Sequence, residues 1–66
     1  MRVHFDSEVD ALYLRLDESA IVESEEVHPG IVLDFNAADE VVGVEILRVR
    51  QRVPTADLCQ LIYEVA

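Results

Sequence analysis

The sequence predicts an α+β fold, in which an antiparallel sheet of about five short strands is followed by one C-terminal helix and is completed by homodimerisation. Three observations lead to this fold class. Apolar and polar residues alternate, as in half-buried strands, through most of the first 47 residues. A Pro-Gly turn and a polar loop separate the alternating segments. After Pro54 the apolar residues recur with the spacing of a helix face.

Two strands form the start of the predicted sheet. Val3 and Phe5 alternate with polar residues, and their strand ends at the turn-prone pair Asp6-Ser7. In residues 11–16 the three leucines share one side of the strand, opposite Ala11, Tyr13 and Arg15. The leucine side is therefore predicted to face the core.

An edge strand and a hairpin follow in the middle of the chain. Residues 21–28 contain more glutamates than an interior strand tolerates, which indicates a sheet edge. Pro29-Gly30 has the residues of a type II turn. Ile31–Phe35 and Val41–Leu47 then alternate on either side of the polar loop 36–40, and they form the clearest hairpin in the sequence.

The last segment has the pattern of an amphipathic helix. Pro54 ends any strand, and Thr55 is a suitable N-cap. One apolar stripe follows at positions i, i+3, i+4 and i+7, consisting of Leu58, Leu61, Ile62 and Val65. So short a helix is marginal in water by itself, so we expect it to dock on the sheet or on another subunit.

Length and charge restrict the function. A chain of 66 residues predicts one domain, residues 1–66, and is too short to bury a large core, which favours a homodimer. Fourteen acidic residues against five arginines give a net charge of −9, so nucleic acid is excluded as the main partner. No apolar run reaches the roughly 18 residues of a membrane span, and no signal-peptide segment begins the chain. We therefore expect a cytoplasmic protein without membrane contact.

Three stretches of this sequence resemble a known family. They are FDSEVDALYLRL from Phe5, ESEEVHPGIVLDF from Glu23 and VVGVEIL from Val41. Their order and spacing are similar to those of the small bacterial family catalogued as domain of unknown function 2283. The resemblance extends from about Val3 to Leu47 and implies a compact, mostly antiparallel β module, with no established activity, catalytic residue or cofactor. Some members resemble neighbours of RNase-type toxins, which suggests an antitoxin-like or immunity-like role for part of the family.

The sequence departs from the family pattern in two places. The hairpin loop lacks the usual Asp-Gly pair near Ala38-Asp39, so an Asp or Asn must adopt the left-handed conformation there. Residues 53–66 have no strong family counterpart. The predicted helix therefore depends on its periodicity alone.

Seven residues are candidates for partner binding. Glu23, Glu25 and Glu26 form an acidic edge, which either steers a basic partner or prevents further strand addition. The outer face of the sheet, opposite the leucines, carries Tyr13, Arg15, Asp34 and Glu45. These four residues either anchor an interface or form a solvated face with a cross-strand salt bridge of Arg15 with Asp34 or Glu45.

Three other patterns contain residue types that support chemistry in other proteins. Asp6, Glu8 and Asp10 begin like a calcium loop but lack its glycine and its last ligand, so they predict a turn closed by an Asp6 side-chain hydrogen bond. Arg48, Arg50 and Arg52 would form a basic stripe if the last strand continued. We favour pairing of this stripe with the acidic edge of this or another subunit; phosphate binding and ordinary solvation are the alternatives. Cys59 is interpreted as a half-buried apolar residue rather than a nucleophile.

These observations favour a small acidic module that binds another protein through its charged edge or its outer face. A purely structural homo-oligomer is the first alternative. A small enzyme is the weaker one, since only Tyr13, Arg15, Asp34 and Glu45 would supply its groups. No catalytic residue, metal or cofactor is assigned.

Overall fold

The computed structural model describes residues 1–66 and contains five strands and one short helix. They are, in chain order, β1 Arg2–Asp6, β2 Ala11–Arg15, β3 Glu23–His28, β4 Ile31–Phe35, β5 Val41–Leu47 and α1 Val49–Arg52. All strand pairs are antiparallel, and the strands lie in the order β1-β2-β5-β4-β3. The antiparallel five-stranded sheet is thus confirmed, with β3 as an edge strand.

The strand register separates the sheet into two chemically different faces. Residues directly opposite each other on paired strands share a face. One face, here called the apolar face, is formed by two rows of side chains: Val3, Leu14, Val44 and Leu33 in one row, and Phe5, Leu12, Ile46 and Ile31 in the next. The predicted leucine face is therefore confirmed.

The apolar face is only partly covered. None of its eight residues is fully buried, and Val3 is 41% exposed. The buried apolar residues of the whole chain are Ala11, Val42 and Val49. A sheet needs a second layer to bury one face, and this chain supplies only a fragment of one.

The predicted C-terminal helix is wrong in position. The structure has no helix between Thr55 and Val65, and the short α1 lies before Pro54. Of the predicted stripe only Leu58 is half-buried, whereas Leu61, Ile62 and Val65 are 68–78% exposed. The stripe has no complementary surface on its own chain, and propensity alone does not hold so short a helix.

The C-terminal segment, residues 53–66, extends past the β1 side of the apolar face. A shallow groove there is lined by Leu58 and Leu61 on one side and by Val3, Phe5 and Leu12 on the other. Cys59 is exposed rather than half-buried, which corrects the sequence interpretation. This segment therefore shields one margin of the sheet and leaves the centre open.

The turns follow the sequence expectations. Gly30 adopts a φ of 78°, as the third residue of a type II turn requires. Asp39 takes the left-handed conformation, with a φ of 61°, in the loop that lacks the family's glycine. The Asp6 carboxylate accepts hydrogen bonds from the backbone N–H groups of Glu8 and Val9, as predicted.

Candidate functional site

The outer face of the sheet brings together the four residues expected there. Two rows of paired residues cross this face: Arg2, Arg15, Gly43, Asp34 and Ser24 in one, and His4, Tyr13, Glu45, Val32 and Glu26 in the other. Tyr13, Arg15, Asp34 and Glu45 are therefore neighbours on three adjacent strands. They are all half-buried or buried.

Asp34 is the centre of a polar cluster on this face. Only 8% of the residue is exposed. The Tyr13 hydroxyl donates to Asp34 Oδ2 at 2.8 Å, and the Ser24 hydroxyl donates to Asp34 Oδ1 at 2.5 Å. A buried carboxylate is costly unless hydrogen bonds compensate its lost hydration. Both oxygens are satisfied here, so Asp34 connects β2, β4 and β3.

Gly43 makes this cluster possible. It is buried and lies between Arg15 and Asp34 in the register. A Cβ at this position would lie 2.5 Å from the Tyr13 hydroxyl oxygen and 2.8 Å from Asp34 Oδ2. The missing side chain therefore provides the space in which Tyr13 reaches across β5 to Asp34.

Arg15 holds the long connection between β2 and β3. Its Nε donates to the Asp17 carbonyl and its Nη2 to the Ser19 carbonyl, both at 2.6 Å. Its Nη1 donates to the Tyr13 hydroxyl oxygen at 3.3 Å. The hydrogen bond with Tyr13 raises the pKa of Arg15, and the nearby carboxylates of Glu18 and Asp34 act in the same direction. The guanidinium stays charged and orders the loop.

The cross-strand salt bridge considered for Arg15 is not present. The ion pairs in this chain are Arg2 with Glu18 and Arg50 with Asp10. Arg15 is linked to Asp34 only through the Tyr13 hydroxyl. Glu45 lies between Tyr13 and Val32 in the register and has no ion-pair partner.

Asn36 and Ser19 tie the β2–β3 connection to the sheet. The pKa of Asp17 is lowered mainly by a hydrogen bond from the Ser19 hydroxyl, and to a smaller extent by one from the Ser19 backbone N–H. Asn36, which is 8% exposed, donates from Nδ2 to Ser19 Oγ and to Glu40 Oε1. Its Oδ1 accepts from the N–H groups of Ala38 and Glu40. Asn36 thus closes the β4–β5 turn and anchors the connection that crosses beside it.

The acidic edge borders this cluster at Ser24. All six residues of β3 are exposed. Glu25 and Glu26 point to opposite faces of the sheet, since they pair with Leu33 and Val32 respectively. Neither these two residues nor Glu23 forms an ion pair. The structure therefore leaves three uncompensated carboxylates along one sheet edge.

The predicted arginine stripe does not form. β5 ends at Leu47, and Arg48 adopts a left-handed conformation with a φ of 55°, which turns the chain into α1. Arg50 then pairs with Asp10 in the β1–β2 turn at 2.9 Å, and its guanidinium carbon lies 5.9 Å from the centre of the Phe5 ring. Arg50 thus pairs with the β1–β2 turn rather than with the acidic edge.

Sequence reasoning missed the supporting residues of the cluster. Ser24 and Ser19 are small polar residues without a recognisable motif, and their roles depend on contacts with Asp34 and Asn36 across the fold. Asn36 did carry a local signal, because asparagine at the start of a turn commonly accepts backbone hydrogen bonds. No group of three or more His, Cys, Asp or Glu side chains is arranged to hold a metal ion.

Most polar atoms of the outer-face cluster form hydrogen bonds with one another or with the backbone, so few are free to contact a ligand. Both oxygens of Asp34 and three nitrogens of Arg15 are engaged within the chain. The arrangement fixes the relative positions of β2, β3 and β4 and of the connection between β2 and β3. The neighbouring acidic edge differs, because its glutamates are exposed and form no ion pair.

Comparison with known proteins identifies the chain at family level. The one helix in the structure has four residues, and no helix is long and apolar enough to cross a membrane. No curated protein and no solved structure matches the sequence. Residues 2–50, which contain all five strands, match the family described as "Protein of unknown function (DUF2283)". With about three quarters of its length matched, and with the outer-face cluster inside the match, the chain belongs to this family.

Proposed function

We propose that this protein is an association module that forms a homodimer through the apolar face of its sheet. The observation that carries the proposal is the incomplete burial of that face. Eight apolar side chains from four adjacent strands form it, and none is fully buried. An exposed apolar patch on a small domain typically marks an interaction surface.

The exposed area supports a dimer of ordinary size. The chain exposes 5018 Å². A compact folded monomer of this mass is expected to expose about 4,200 Å². The excess of about 800 Å² comes from the open apolar face together with the exposed C-terminal segment, and it equals what one partner contributes to a standard protein interface.

Charge supports a second copy as the occupant. A two-fold interface brings the same patch of both chains together, so it must be complementary to itself. The rows of the apolar face contain no charge between Val3 and Leu33 or between Phe5 and Ile31. The chain's net charge of −9 therefore resides on the outer face, the edges and the loops, where two copies can keep it apart.

A matched pair of variants tests this proposal. Leu33→Thr places a hydroxyl on the β4 side of the apolar face, and Val32→Thr places the same side chain on the outer face of the same strand. We expect Leu33→Thr to raise the dimer dissociation constant about tenfold or more and Val32→Thr to leave it nearly unchanged. Sedimentation equilibrium over a range of concentrations measures both constants.

Two results would overturn the homodimer. One is a folded wild-type monomer at every accessible concentration. The other is a dimer that persists in Leu33→Thr but disappears when residues 54–66 are removed, because association would then depend on the C-terminal segment. Circular dichroism of each variant establishes whether the sheet has remained folded.

The acidic edge supports a second candidate function, the capture of a basic protein in an antitoxin-like or immunity-like role. Its specific support is the exposure of β3 and the lack of any cation paired with Glu23, Glu25 or Glu26. Clustered charge of one sign steers the encounter with an oppositely charged partner. We favour association over catalysis because the outer-face groups are engaged with one another.

An oligolysine peptide is a suitable probe for the edge. The triple variant Glu23→Gln, Glu25→Gln, Glu26→Gln should lose affinity for the peptide and lose most of the salt dependence of binding. A control with Glu8→Gln and Glu64→Gln removes acidic groups outside β3. Equal losses in the two variants would contradict a role of the edge. Aggregation of the triple variant with unchanged peptide binding would instead assign the glutamates to edge protection.

A further inference from the structure

Two arginines without a carboxylate partner meet at the turn between β3 and β4. Arg48 lies between β5 and α1, and Arg52 is the last residue of α1. The Nη2 atoms of both side chains lie within 2.6 Å of the point that a Cβ on Gly30 would occupy. Neither arginine takes part in an ion pair. Two guanidinium groups are therefore neighbours with no counter-charge from this chain.

Arg52 is held in place by the backbone. Its Nε donates to the Leu47 carbonyl at 2.7 Å, and its Nη2 donates to the Pro29 carbonyl. Its Nη1 makes no hydrogen bond within the chain. The guanidinium is thereby fixed beside the turn with one terminal nitrogen unoccupied.

Arg48 is brought to the same place by its backbone conformation. Its φ of 55° is unusual for a residue with a side chain, and such conformations are concentrated at functional sites. Its guanidinium makes no hydrogen bond within the chain, so all of its donors remain available. The conformation turns the chain into α1 and brings the side chain to Gly30, and the unpaired donors there are free to bind a ligand.

Gly30 leaves room for the pair. It is buried, and a Cβ there would displace the ends of both arginine side chains from the positions they occupy. The glycine is required for its positive φ, and its missing side chain leaves the space that the two guanidinium groups occupy. In a chain with fourteen acidic residues, two adjacent unpaired arginines are an unexpected arrangement unless an anion joins them.

We propose that Arg48 and Arg52 form a binding site for a phosphate group above Gly30. Two guanidinium groups carry two positive charges, which match the dianionic form of a phosphate monoester. Its tetrahedral oxygens can accept from two donors that are not coplanar, whereas a carboxylate is matched by a single guanidinium fork. The strongly negative chain disfavours polyanions, so the ligand is a single phosphate group of a small molecule or free phosphate.

Thermal unfolding and NMR titration with inorganic phosphate test this site. Phosphate should raise the melting temperature of the wild-type protein relative to sodium chloride at equal ionic strength, and it should shift the Gly30 amide resonance. Arg48→Gln should abolish both effects. Since only the backbone carbonyl of Arg48 makes hydrogen bonds in the fold and its side chain makes none, this variant should remain folded. Arg2→Gln removes the same charge from an exposed ion pair and should bind phosphate normally.

Further probes distinguish the sources of the phosphate. Tighter binding of methyl phosphate than of inorganic phosphate would indicate a monoester ligand, and the reverse order would indicate free phosphate. Acetate should bind at least tenfold more weakly than either. The site would be refuted if phosphate acted no differently from chloride, or if Arg2→Gln and Arg48→Gln lost the effect equally. Gly30, Arg48 and Arg52 lie outside the apolar face, so this test is independent of dimerisation.

Discussion

At Gly43, the missing side chain lets groups from three strands interact above β5. Tyr13 and Ser24 both donate to the nearly buried Asp34, and Arg15 extends the cluster to the β2–β3 connection. One residue without a Cβ thus determines whether a buried carboxylate is satisfied. The stability of the outer face should depend on this position more than on any single charge around it.

Gly43→Ala should destabilise the protein by about 1–3 kcal/mol, because the new methyl group would displace the Tyr13 hydroxyl or the Asp34 carboxylate. Urea unfolding monitored by circular dichroism measures the loss. In the Tyr13→Phe background the same substitution should cost less, since the nearer obstructing atom is absent. Equal stability of Gly43→Ala and the wild type would contradict this explanation.

Asp17 should make the stability of the protein depend on pH. Its pKa in the folded protein lies below the ordinary value of 3.8, because Ser19 donates to its charged form. The stabilisation of the fold by ionised Asp17 is therefore fully present at pH values well above 3.8, and it is lost as the pH falls through the pKa of the folded state. Asp17→Asn should be less stable than the wild type near neutral pH, and this difference should vanish in acid. A difference that persists in acid would argue against the hydrogen bonds with Ser19 as its cause.

Among the elements, the C-terminal segment shows the difference between a helical pattern and a helix. The stripe Leu58, Leu61, Ile62 and Val65 has the correct spacing, but most of it faces solvent. The helix that does form, α1, is held by Asp10. The Asp10 carbonyl accepts from Val49 N–H, and its carboxylate accepts from Arg50 N–H. That contact joins residues 40 positions apart, so no periodicity in the sequence predicts it.

Removal of residues 54–66 should leave the five-stranded sheet intact. No strand pairs with this segment, and Leu61 and Ile62 are mostly exposed, so Leu61→Ala should change the stability by no more than about 0.5 kcal/mol. The truncated chain should bind more of a hydrophobic dye, because Leu58 no longer covers the β1 side of the apolar face. Far-ultraviolet circular dichroism and dye fluorescence measure the two effects. An unfolded truncated chain would refute this assignment.

The sequence predicted those elements whose signals are local. Alternation in β2, β4 and β5, the Pro29-Gly30 turn and the glutamates of β3 gave both the strands and the faces on which Tyr13, Arg15, Asp34 and Glu45 lie. The arginine stripe and the position of the C-terminal helix were wrong. The stripe depended on extending the β5 periodicity beyond residue 47, where a left-handed Arg48 and contacts with Asp10 determine the path of the chain. The helix position depended on the periodicity of residues 58–65, which has no complementary surface on its own chain.

For the whole molecule, the charge distribution opposes compactness. Fourteen acidic residues are accompanied by five arginines, and only two ion pairs form. Mutual repulsion of unpaired carboxylates destabilises a small folded domain and weakens when salt screens it. The apolar burial of a half-covered sheet has to overcome this repulsion.

The melting temperature should therefore rise when potassium chloride is increased from low to physiological concentration. The triple variant of β3 glutamines should show a smaller rise, since it has lost three of the repelling charges. Differential scanning calorimetry at constant protein concentration measures both rises. A melting temperature that falls with salt would mean that the ion pairs of Arg2 and Arg50 outweigh the repulsion.

The strand order β1-β2-β5-β4-β3 also implies a sequence of folding events. Three of its ladders join strands that are consecutive in the chain, whereas the β2–β5 ladder joins residues such as Leu14 and Val44. Closing a long loop costs entropy before its contacts form, so the β1–β2 hairpin and the β3–β4–β5 meander should assemble first as separate units. The pairing of β2 with β5 then joins the two units and completes the sheet. The β2–β5 ladder is the slowest pairing to form. When the two units separate, its backbone amides should be the first in the sheet to exchange with solvent.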